Sequence, residues 1–394
     1  MIILRVACDN FYMFKKFEVD FTYERKSNHY LSENDRLFTG SRIKVRKNLI
    51  VMGANVSGKT TFGKLLCLIL NFIYGKDLGD GSFSIPSARY DKSKDSSFEV
   101  EFVIDDTAYL LKACFRNDSL YTEEVFRQKI YKSYSIQTLR KKLAESKPIK
   151  PYDTVKDLDL FDIGCKSYAF ASLKELRELR KKIGFRFSFS ELPLNSSTYL
   201  GETNVKLLND VLPKIDNSVI SVKRLTVAGE EGESAKTKSY QITFKNNEVL
   251  TIPDGDLTRC DKRLSHGTFE AVDFLFTFDE LSKRKDDFFY IDERLSHMHS
   301  ELEAYLIYQA FSKKSFDSQV FFTTHNAELL DLNAPITSFL FFRRSEEGFN
   351  EVVYPSEVLR KNIRSLRMHY ENDYFGVLPD YSVLDKFFEE ENNG

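Results

Sequence analysis

The chain has 394 residues, which allows two or three domains at about 150 residues per domain. Apolar residues make up 42% and charged residues 29%, so the composition excludes both global disorder and a disulfide-stapled miniprotein. The 57 Lys and Arg are balanced by 59 Asp and Glu, which leaves a net charge of −2. A protein that coats nucleic acid through a general basic excess is therefore excluded, and contact with DNA or RNA would need a local basic patch.

The elements predicted along the chain alternate between strands and helices. Strand patterns cover about 2–8, 17–23, 44–52, 98–104, 109–115, 240–244, 288–291, 319–323 and 338–343. Helix patterns cover about 59–74, 167–183, 203–212, 268–281 and 301–311. We therefore predict an α/β fold with two lobes, 1–115 and 220–394, separated by a mostly helical insertion at 116–219. Within that insertion, the alternation of Phe185, Phe187 and Phe189 predicts a buried strand face.

Cysteines and apolar runs bear on the cellular environment. The five cysteines are odd in number and stand far apart, which indicates a reducing compartment and predicts buried thiols: Cys8, Cys67, Cys114, Cys165 and Cys260. The N-terminal apolar run is too short for a signal peptide. The apolar stretch 65–74 is shorter than the roughly 20 residues that a membrane span needs. We expect a soluble, cytoplasmic protein without membrane contact.

A phosphate-binding motif lies between the predicted strand 44–52 and the predicted helix 59–74. Its residues match G-x-x-x-x-G-K-[ST] and are followed by Thr61: Gly53, Ala54, Asn55, Val56, Ser57, Gly58, Lys59 and Thr60. Such a loop turns its backbone N–H groups towards a polyphosphate, and the helix N-terminus adds a partial positive charge. We predict that Lys59 neutralises the β- and γ-phosphates and that the Thr60 hydroxyl ligates Mg²⁺.

Two carboxylates, Asp292 and Glu293, follow the apolar strand predicted at 288–291. In an open α/β sheet, ligands bind at the carboxyl ends of the strands. A strand that ends in Asp-Glu can also simply cap the next helix, but its combination with Lys59 favours a catalytic pair. We predict that Asp292 holds Mg²⁺ through its water shell and that Glu293 polarises the attacking water.

Two further segments complete the predicted site. In Leu264-Ser265-His266-Gly267-Thr268, the Ser265 hydroxyl and the backbone at Gly267 open a helix and so form a second anion-binding helix start. His325 follows the apolar strand 319–323 and is predicted to hydrogen-bond the γ-phosphate or the attacking water. The predicted catalytic residues are thus Lys59, Glu293 and His325.

The order of these four motifs resembles the ABC-type ATPase heads of the SMC/RecF/OLD kind. Asn10-Phe11, with Phe14 and Phe17, looks like the N-terminal pattern of those heads. Residues 323–331, Thr-Thr-His-Asn-Ala-Glu-Leu-Leu-Asp, are similar to a segment of the AAA ATPases that accompany abortive-infection and OLD-like defence genes, and Leu366 to Pro379 resembles their closing element. The resemblance covers about 1–115 and 220–394. It implies a P-loop ATPase head with a mixed β-sheet core, an antiparallel subsheet and a helical insertion.

The chain also departs from related families. His266-Gly267-Thr268 stands where transporter ATPases carry Gly-Gly-Gln, which argues against a transporter subunit. A Q-loop glutamine is not assigned. The helical patterns of the insertion are too short for the long coiled coil of SMC proteins.

The resemblance implies dimer chemistry, in which Ser265 and Gly267 of one protomer close over ATP held by Lys59 of the other. It further implies a Mg-ATP-hydrolysing sensor or regulator of a bacterial anti-phage, abortive-infection type defence system. Its partners would be a second copy of the chain, or a higher homo-oligomer, and a separate nuclease or toxin effector. Two alternatives remain open: a DNA repair or recombination clamp of RecF/SMC type, and a nucleotide-dependent scaffold with little turnover.

The sequence contains two weaker patterns. The basic segments 42–47 and 174–186 are expected to be solvated faces, while contact with a DNA or RNA backbone stays open as the alternative. His297 and His299 stand two residues apart, but they fall between a strand end and a helix start, so a zinc site is not favoured.

Overall fold

The structure is a computed structural model that describes residues 1–24, 31, 34–81, 83–149, 164–190, 196–197, 205–226, 238–252, 264–283, 287–359 and 365–378. The chain forms two compact units. The P-loop unit, named after the phosphate-binding motif at residues 53–60 (the P-loop), comprises Ile3–Arg180 and Phe321–Gly394. The signature unit, named after the segment 264–268, comprises Met1–Ile2 and Lys181–Val320.

The described residues contain the following strands: β1 (Ile2–Asp9), β2 (Phe17–Asp20), β3 (Thr22–Tyr23), β4 (Lys44–Val45), β5 (Asn48–Met52), β6 (Ser96–Ile104), β7 (Thr107–Arg116), β8 (Ser119–Lys129), β9 (Gly184–Ser188), β10 (Ser196–Ser197), β11 (Val219–Thr226), β12 (Lys238–Phe244), β13 (Val249–Ile252), β14 (Asp287–Asp292), β15 (Gln319–Thr323), β16 (Phe339–Arg344) and β17 (Asn350–Val353). The helices are α1 (Lys59–Tyr74), α2 (Ile85–Ala88), α3 (Ile136–Glu145), α4 (Tyr168–Ser172), α5 (Lys174–Arg180), α6 (Val205–Ile215), α7 (His266–Lys283), α8 (Ser300–Lys313), α9 (Pro355–Val358) and α10 (Leu366–Glu371). Short 3-10 helices cover Ala327–Asp331 and Ile336–Ser338.

The P-loop unit contains an antiparallel sheet and a second group of strands that carries the P-loop. In the antiparallel sheet, β6, β7 and β8 form a meander and β2 pairs with β1, in the order β2-β1-β6-β7-β8. In the second group, β5 pairs in parallel with β16, which pairs antiparallel with β17. The predicted fold class, α/β with an antiparallel subsheet, is therefore confirmed.

The N-terminal phenylalanines pack against the helix that follows the P-loop. The rings of Phe14 and Phe17 lie 4.2 Å apart, and Phe17 lies 6.0 Å from Phe342 of β16. Phe342 in turn lies 5.2 Å from Phe62 of α1. Buried aromatic rings at these separations contribute large apolar areas to a core. The predicted Asn-Phe pattern therefore packs the start of the chain against α1.

Two basic residues of segment 42–47 are buried, which corrects the expectation that this segment is a solvated face. Arg46 donates from Nη1 to the Thr22 carbonyl at 2.7 Å, and its guanidinium lies 4.5 Å from the Tyr354 ring centre. Lys47 donates from Nζ to the Arg36 carbonyl at 2.7 Å. A charged group is buried only where hydrogen bonds replace its water. Arg46 and Lys47 therefore hold the entry to β5 and are not available to a nucleic-acid backbone.

The signature unit combines strand pairs around β14 with a separate three-stranded sheet. β14 pairs in parallel with β9, with Phe187 opposite Tyr290, and β10 pairs antiparallel with β9. Phe185, Phe187 and Phe189 are all buried, so the predicted buried strand face is confirmed. β11, β12 and β13 form an antiparallel sheet whose buried side packs with residues of α6 and α7.

The predicted insertion contains strands as well as helices. The helix predicted at 167–183 is divided into α4 and α5, because Leu173 between them has an extended backbone. The helix predicted at 203–212 is observed as α6, while Thr203 lies outside the described residues. The division into 1–115, 116–219 and 220–394 stays a prediction.

Two further predictions concern buried cysteines and membrane-spanning segments. Cys8, Cys67 and Cys165 are buried cysteines that take part in no disulfide among the described residues, and Cys114 is half-buried, while Cys260 lies outside the described residues. Among the helices that the structure describes, each is too short or too polar to cross a membrane.

Candidate functional site

The P-loop has a backbone that only glycine can adopt at two positions. Gly53 has φ +150°, and a Cβ there would lie 2.3 Å from the Phe342 carbonyl oxygen. Gly58 has φ +106°, and a Cβ there would lie 2.4 Å from Nδ2 of Asn350. Both glycines of the predicted motif are therefore required by close approach of neighbouring groups, as well as by their backbone angles.

The polar side chains of the loop fit a bound polyphosphate. Lys59 is 4% exposed, and its Nζ donates to the carbonyl oxygens of Gly53 at 3.0 Å and Ala54 at 3.3 Å. The Ser57 hydroxyl is buried and has no hydrogen-bond partner among the described residues. Thr60 lies in the first turn of α1, which contains no acidic residue. A cation, two hydroxyls and a helix N-terminus free of acidic side chains match the donor set of a phosphate and magnesium site.

Val56, in the middle of the loop, has a strained backbone. Its φ is +67°, and its side chain is 74% exposed. A β-branched residue in this region costs about 1–3 kcal/mol and persists only where surrounding structure holds it. Arg344 provides one such contact, because its Nε donates to the Val56 carbonyl at 3.3 Å.

His325 lies in the same unit as the P-loop. The Thr324 N–H donates to the carbonyl of Val51 at 3.1 Å, so the turn after β15 lies beside the strand that leads into the loop. The Asn326 N–H donates to the Thr324 hydroxyl at 3.0 Å, and the Asn326 side chain accepts the Glu328 N–H at 3.0 Å. These bonds shape the turn that carries the exposed His325.

Asp292 and Glu293 lie in the signature unit, at the end of β14. Every residue of this strand is buried, and Asp292 is 0% exposed. Glu293 has φ +48°, an uncommon conformation for a residue other than glycine. Strained residues of this kind cluster at active sites, which supports a functional role for the position directly after Asp292.

Ser265 begins α7 in the same unit. Its hydroxyl accepts the Thr268 N–H at 3.1 Å, which is the N-cap arrangement expected from the sequence. Ser265 is exposed, and the helix that follows has 18 residues. A cavity of about 570 Å³ adjoins this helix start, and Ser265, Gly267, His297 and His299 are among its lining residues. The predicted second anion-binding helix start is therefore open to a ligand.

Buried acids on α7 are functional candidates that the sequence reasoning missed. Glu270 accepts the backbone N–H of His297 at 3.0 Å and its Nδ1 at 2.6 Å. Asp273 lies 3.3 Å from Nε of Arg294 and accepts the Ser188 hydroxyl at 2.7 Å. The signal available in the sequence was the three-residue spacing of Glu270 and Asp273, which places both on one side of the helix.

The two histidines after β14 make separate contacts. His297 is bound to Glu270 and its ring stacks on His266 at 5.2 Å, while His299 is the N-cap of α8. Across the described part of the chain, no group of three or more His, Cys, Asp or Glu side chains is arranged to hold a metal ion.

Comparison with solved structures finds similarity to SMC head domains. One is the "SmcHead bound to the C-winged helix domain of ScpA", with 13% sequence identity, 92% of this chain and 100% of that chain covered, and a TM-score of 0.49. A second is the Smc head domain from Pyrococcus furiosus, with an extended coiled coil and bound to the C-terminal domain of ScpA, with 13% identity, 89% and 96% covered, and a TM-score of 0.47. A third is the SMC head domain from Thermotoga maritima, with 10% identity, 90% and 99% covered, and a TM-score of 0.39.

No match was found among curated proteins. One family model, described as "AAA domain, putative AbiEii toxin, Type IV TA system", matches residues 49–331. The match begins in β5, includes the P-loop, Ser265, Asp292 and His325, and ends at the last residue of the 3-10 helix Ala327–Asp331. The chain therefore belongs to this AAA domain family.

Proposed function

We propose that this chain is an ABC-type ATPase that binds Mg-ATP, dimerises on it and hydrolyses it to ADP and phosphate. The observation that carries the proposal is the P-loop. A side chain at Gly53 would clash with the Phe342 backbone carbonyl, Gly58 has a φ of +106° that other residues rarely adopt, and the buried Lys59 points its ammonium group at the loop carbonyls. A loop of this shape presents backbone N–H groups to phosphates. The family match supports the same assignment.

The residues around the phosphates have separate roles in this proposal. Lys59 neutralises the β- and γ-phosphate oxygens, and residues 53–61 hold the phosphate chain through backbone N–H groups and the hydroxyls of Ser57, Thr60 and Thr61. Thr60 and Asp292 are the residues that would hold the magnesium ion. When bound, Mg²⁺ supplies charge that neutralises the phosphate oxygens during transfer. The complete burial of Asp292 suits a carboxylate whose charge is met by a cation.

Glu293 and His325 act on the attacking water. Glu293 orients the water and accepts its proton, and its strained backbone sets the direction of the carboxylate. His325 hydrogen-bonds the γ-phosphate or the same water, and its exposure at the end of β15 leaves the ring accessible to substrate. Both residues follow strand ends, the usual location of catalytic groups in an α/β fold.

Ser265 and Gly267 complete the site in trans. Ser265 is exposed at the start of a helix of 18 residues, which is a favourable position for a phosphate brought by a second copy of the chain. ATP that contacts both protomers favours the closed dimer through its differential affinity. Hydrolysis removes the γ-phosphate contact and so releases the dimer.

The biological role that we propose is a sensor or regulator in a bacterial anti-phage defence system of the abortive-infection type. The matched family is described as "AAA domain, putative AbiEii toxin, Type IV TA system", which supports a role in a toxin–antitoxin type of system. We assign the effector, a nuclease or another toxin, to a separate chain. ATP binding by the sensor would then be the signal that the effector chain receives.

Three variants test the ATPase assignment. Lys59→Ala should weaken ATP binding by at least about 100-fold, and Glu293→Gln should keep binding while turnover falls about 10²- to 10⁴-fold. Lys76→Ala, which replaces a lysine just after α1, is the matched control and should behave as wild type. Binding is measured with a fluorescent ATP analogue and turnover by phosphate release. Turnover that persists in the Lys59→Ala protein would reject the proposal.

The biological role is tested by what stimulates turnover. Hydrolysis that stays low until the product of a neighbouring gene is added supports a defence complex. Hydrolysis stimulated by duplex DNA in the isolated chain would instead indicate a repair clamp. ATP binding without turnover, unchanged in the Glu293→Gln protein, would indicate a scaffold.

A further inference from the structure

The segment 365–377, close to the end of the described chain, contacts the P-loop. The carbonyl oxygen of Val377 accepts the backbone N–H of Ala54 at 3.3 Å. Next to it, Nη1 of Arg343 donates to the carbonyl of Phe375 at 3.3 Å. Ala54 is the second residue of the P-loop, so a segment more than 300 residues away in sequence supports the loop at its start.

The shape of this segment depends on one carboxylate. Asp373 has φ +50°, and its Oδ1 accepts the N–H groups of Val377 at 2.7 Å and Leu378 at 2.9 Å. The Gly376 N–H donates to the Asp373 carbonyl at 3.0 Å, and Gly376 has φ +63°. Asp373 therefore closes the turn that presents the Val377 carbonyl to Ala54.

The other end of the segment contacts the turn that follows His325. Asp331 ends the 3-10 helix Ala327–Asp331, and it accepts hydrogen bonds from Nη1 of Arg367 at 3.1 Å and from the Ser365 hydroxyl at 3.2 Å. Arg367 also donates from Nε to Glu371 at 2.7 Å, which orients its guanidinium. The segment is thus joined to the P-loop, which contains Lys59, and to the 3-10 helix that follows His325.

Buried aromatic residues anchor the middle of the segment. Tyr370 and Phe375 are buried, and their rings lie 5.2 Å and 4.9 Å from that of Phe341 in β16. β16 pairs in parallel with β5, the strand that leads into the P-loop. The segment is therefore packed on the strand beside β5. A displacement of the P-loop or of the 3-10 helix after His325 would displace the segment as well.

We propose that residues 365–377 form a brace that sets the positions of the P-loop and of the His325 turn. This inference rests on the proposed ATPase function. Asp373 is a positioning residue for the P-loop and acts through Val377 and Ala54, so its loss weakens ATP binding. Arg367 is a positioning residue for His325 and acts through Asp331, so its loss slows turnover. Because both contacts belong to one segment, ATP binding and the position of the His325 turn are linked.

The Asp373 contact is tested by two substitutions that differ in whether the side chain keeps an acceptor oxygen. Asp373→Ala removes the acceptor of two N–H groups and should raise the Kd for ATP about tenfold. Asp373→Asn keeps an acceptor oxygen and tolerates a positive φ, so it should bind ATP within about twofold of wild type. The matched control is Asp77→Ala, since Asp77 also accepts a turn N–H, from Gly79, and should leave the Kd unchanged.

Hydrogen exchange gives a second readout that does not depend on nucleotide. In the Asp373→Ala protein without ATP, the peptide that contains Ala54 should exchange faster, because the Ala54 N–H loses its acceptor. It should exchange at the wild-type rate in the Asp373→Asn and Asp77→Ala proteins. If wild-type protein fails to bind ATP, the proposed function is rejected, and this exchange measurement still decides the brace.

The Arg367 contact is tested by kinetics. Arg367→Ala should lower kcat about three- to tenfold with KM for ATP within twofold, and Arg367→Lys should recover part of the loss. Arg116→Ala, which breaks a comparable exposed ion pair with Asp95, is the control and should leave kcat unchanged. Unchanged exchange at Ala54 in the Asp373→Ala protein, or equal effects of the Ala and Asn substitutions at Asp373, would overturn the brace. So would an unchanged kcat in the Arg367→Ala protein.

Discussion

Glu270 of α7 holds His297 through two hydrogen bonds, one to its backbone N–H at 3.0 Å and one to Nδ1 at 2.6 Å. Glu270 lies five residues after Ser265, and His297 lies four residues after Glu293. The carboxylate therefore joins the helix that begins at Ser265 to the segment that follows the proposed catalytic glutamate. Asp273, one turn further along α7, makes a parallel contact with Arg294. The Glu270–His297 and Asp273–Arg294 pairs therefore hold the first turns of α7 against the segment 294–297.

Glu270→Ala should lower the free energy of unfolding by about 1–2 kcal/mol, because two hydrogen bonds to a carboxylate are lost. It should lower kcat more than ATP affinity, because the contact lies beside Glu293 and not in the P-loop. The measurements are chemical unfolding, phosphate release and ATP-analogue titration. Glu270→Gln keeps one acceptor and should show a smaller effect in each. A loss of ATP affinity as large as the loss of kcat would contradict the assignment.

Val56→Gly should stabilise the protein by about 1 kcal/mol. Relief of a strained φ is worth about 1–3 kcal/mol, and part of this is offset by the greater backbone entropy of glycine in the unfolded chain. Val249→Gly is the control, because Val249 is also exposed, at 53%, and lies in an ordinary strand conformation. That substitution should destabilise the protein. The measurement is the Tm of both variants relative to wild type in thermal unfolding. A lower Tm for Val56→Gly than for wild type would show that Val56 carries no strain.

Shared sites predict complementation between two inactive variants. The Lys59→Ala and Ser265→Ala proteins should each lack turnover. Mixed in equal amounts, they should recover about a quarter of wild-type turnover, because half of the dimers then contain one intact site. Phosphate release is measured before and after mixing, with two batches of one variant as the control. Turnover that stays at background after mixing would reject a site built from two protomers.

Asp20 should make stability depend on pH in the acid range. Burial raises the pKa of this carboxyl group, but hydrogen bonds from Arg140 at 2.7 Å and from Thr22 outweigh burial, so the pKa is lowered from 3.8. The group therefore adds stability that is complete above its unfolded pKa and is lost as the pH falls towards its folded pKa. Asp20→Asn should be about 1–2 kcal/mol less stable at pH 7.

Thermal unfolding from pH 6 to pH 3 checks this sign. The Tm difference between wild type and Asp20→Asn should narrow below about pH 4. A difference that stays constant to pH 3 would show that the carboxylate is not stabilised by Arg140.

The P-loop could be predicted because its signals are consecutive in the chain: an apolar strand, glycines at fixed spacing, and a helix that begins at Lys59. The same holds for the capping role of Ser265, which depends on Thr268 three residues later. The contacts of Glu270 with His297 and of Ala54 with Val377 could not be predicted. Each joins residues that are distant in sequence, and neither residue type identifies its partner.

The amino-acid sequence by itself determined the α/β fold class, the order of the motifs and most element positions, because periodicity and turn chemistry act over a few residues. The tertiary structure decided which charged residues are buried. Arg46 and Lys47 belong to a basic segment that looks solvated, but the carbonyl oxygens of Thr22 and Arg36, which lie 24 and 11 residues earlier, replace their water. The tertiary structure also determines that the acids of α7 are buried and that segment 365–377 contacts the P-loop. Burial and long-range hydrogen bonds depend on the packing of the whole unit, which no local pattern encodes.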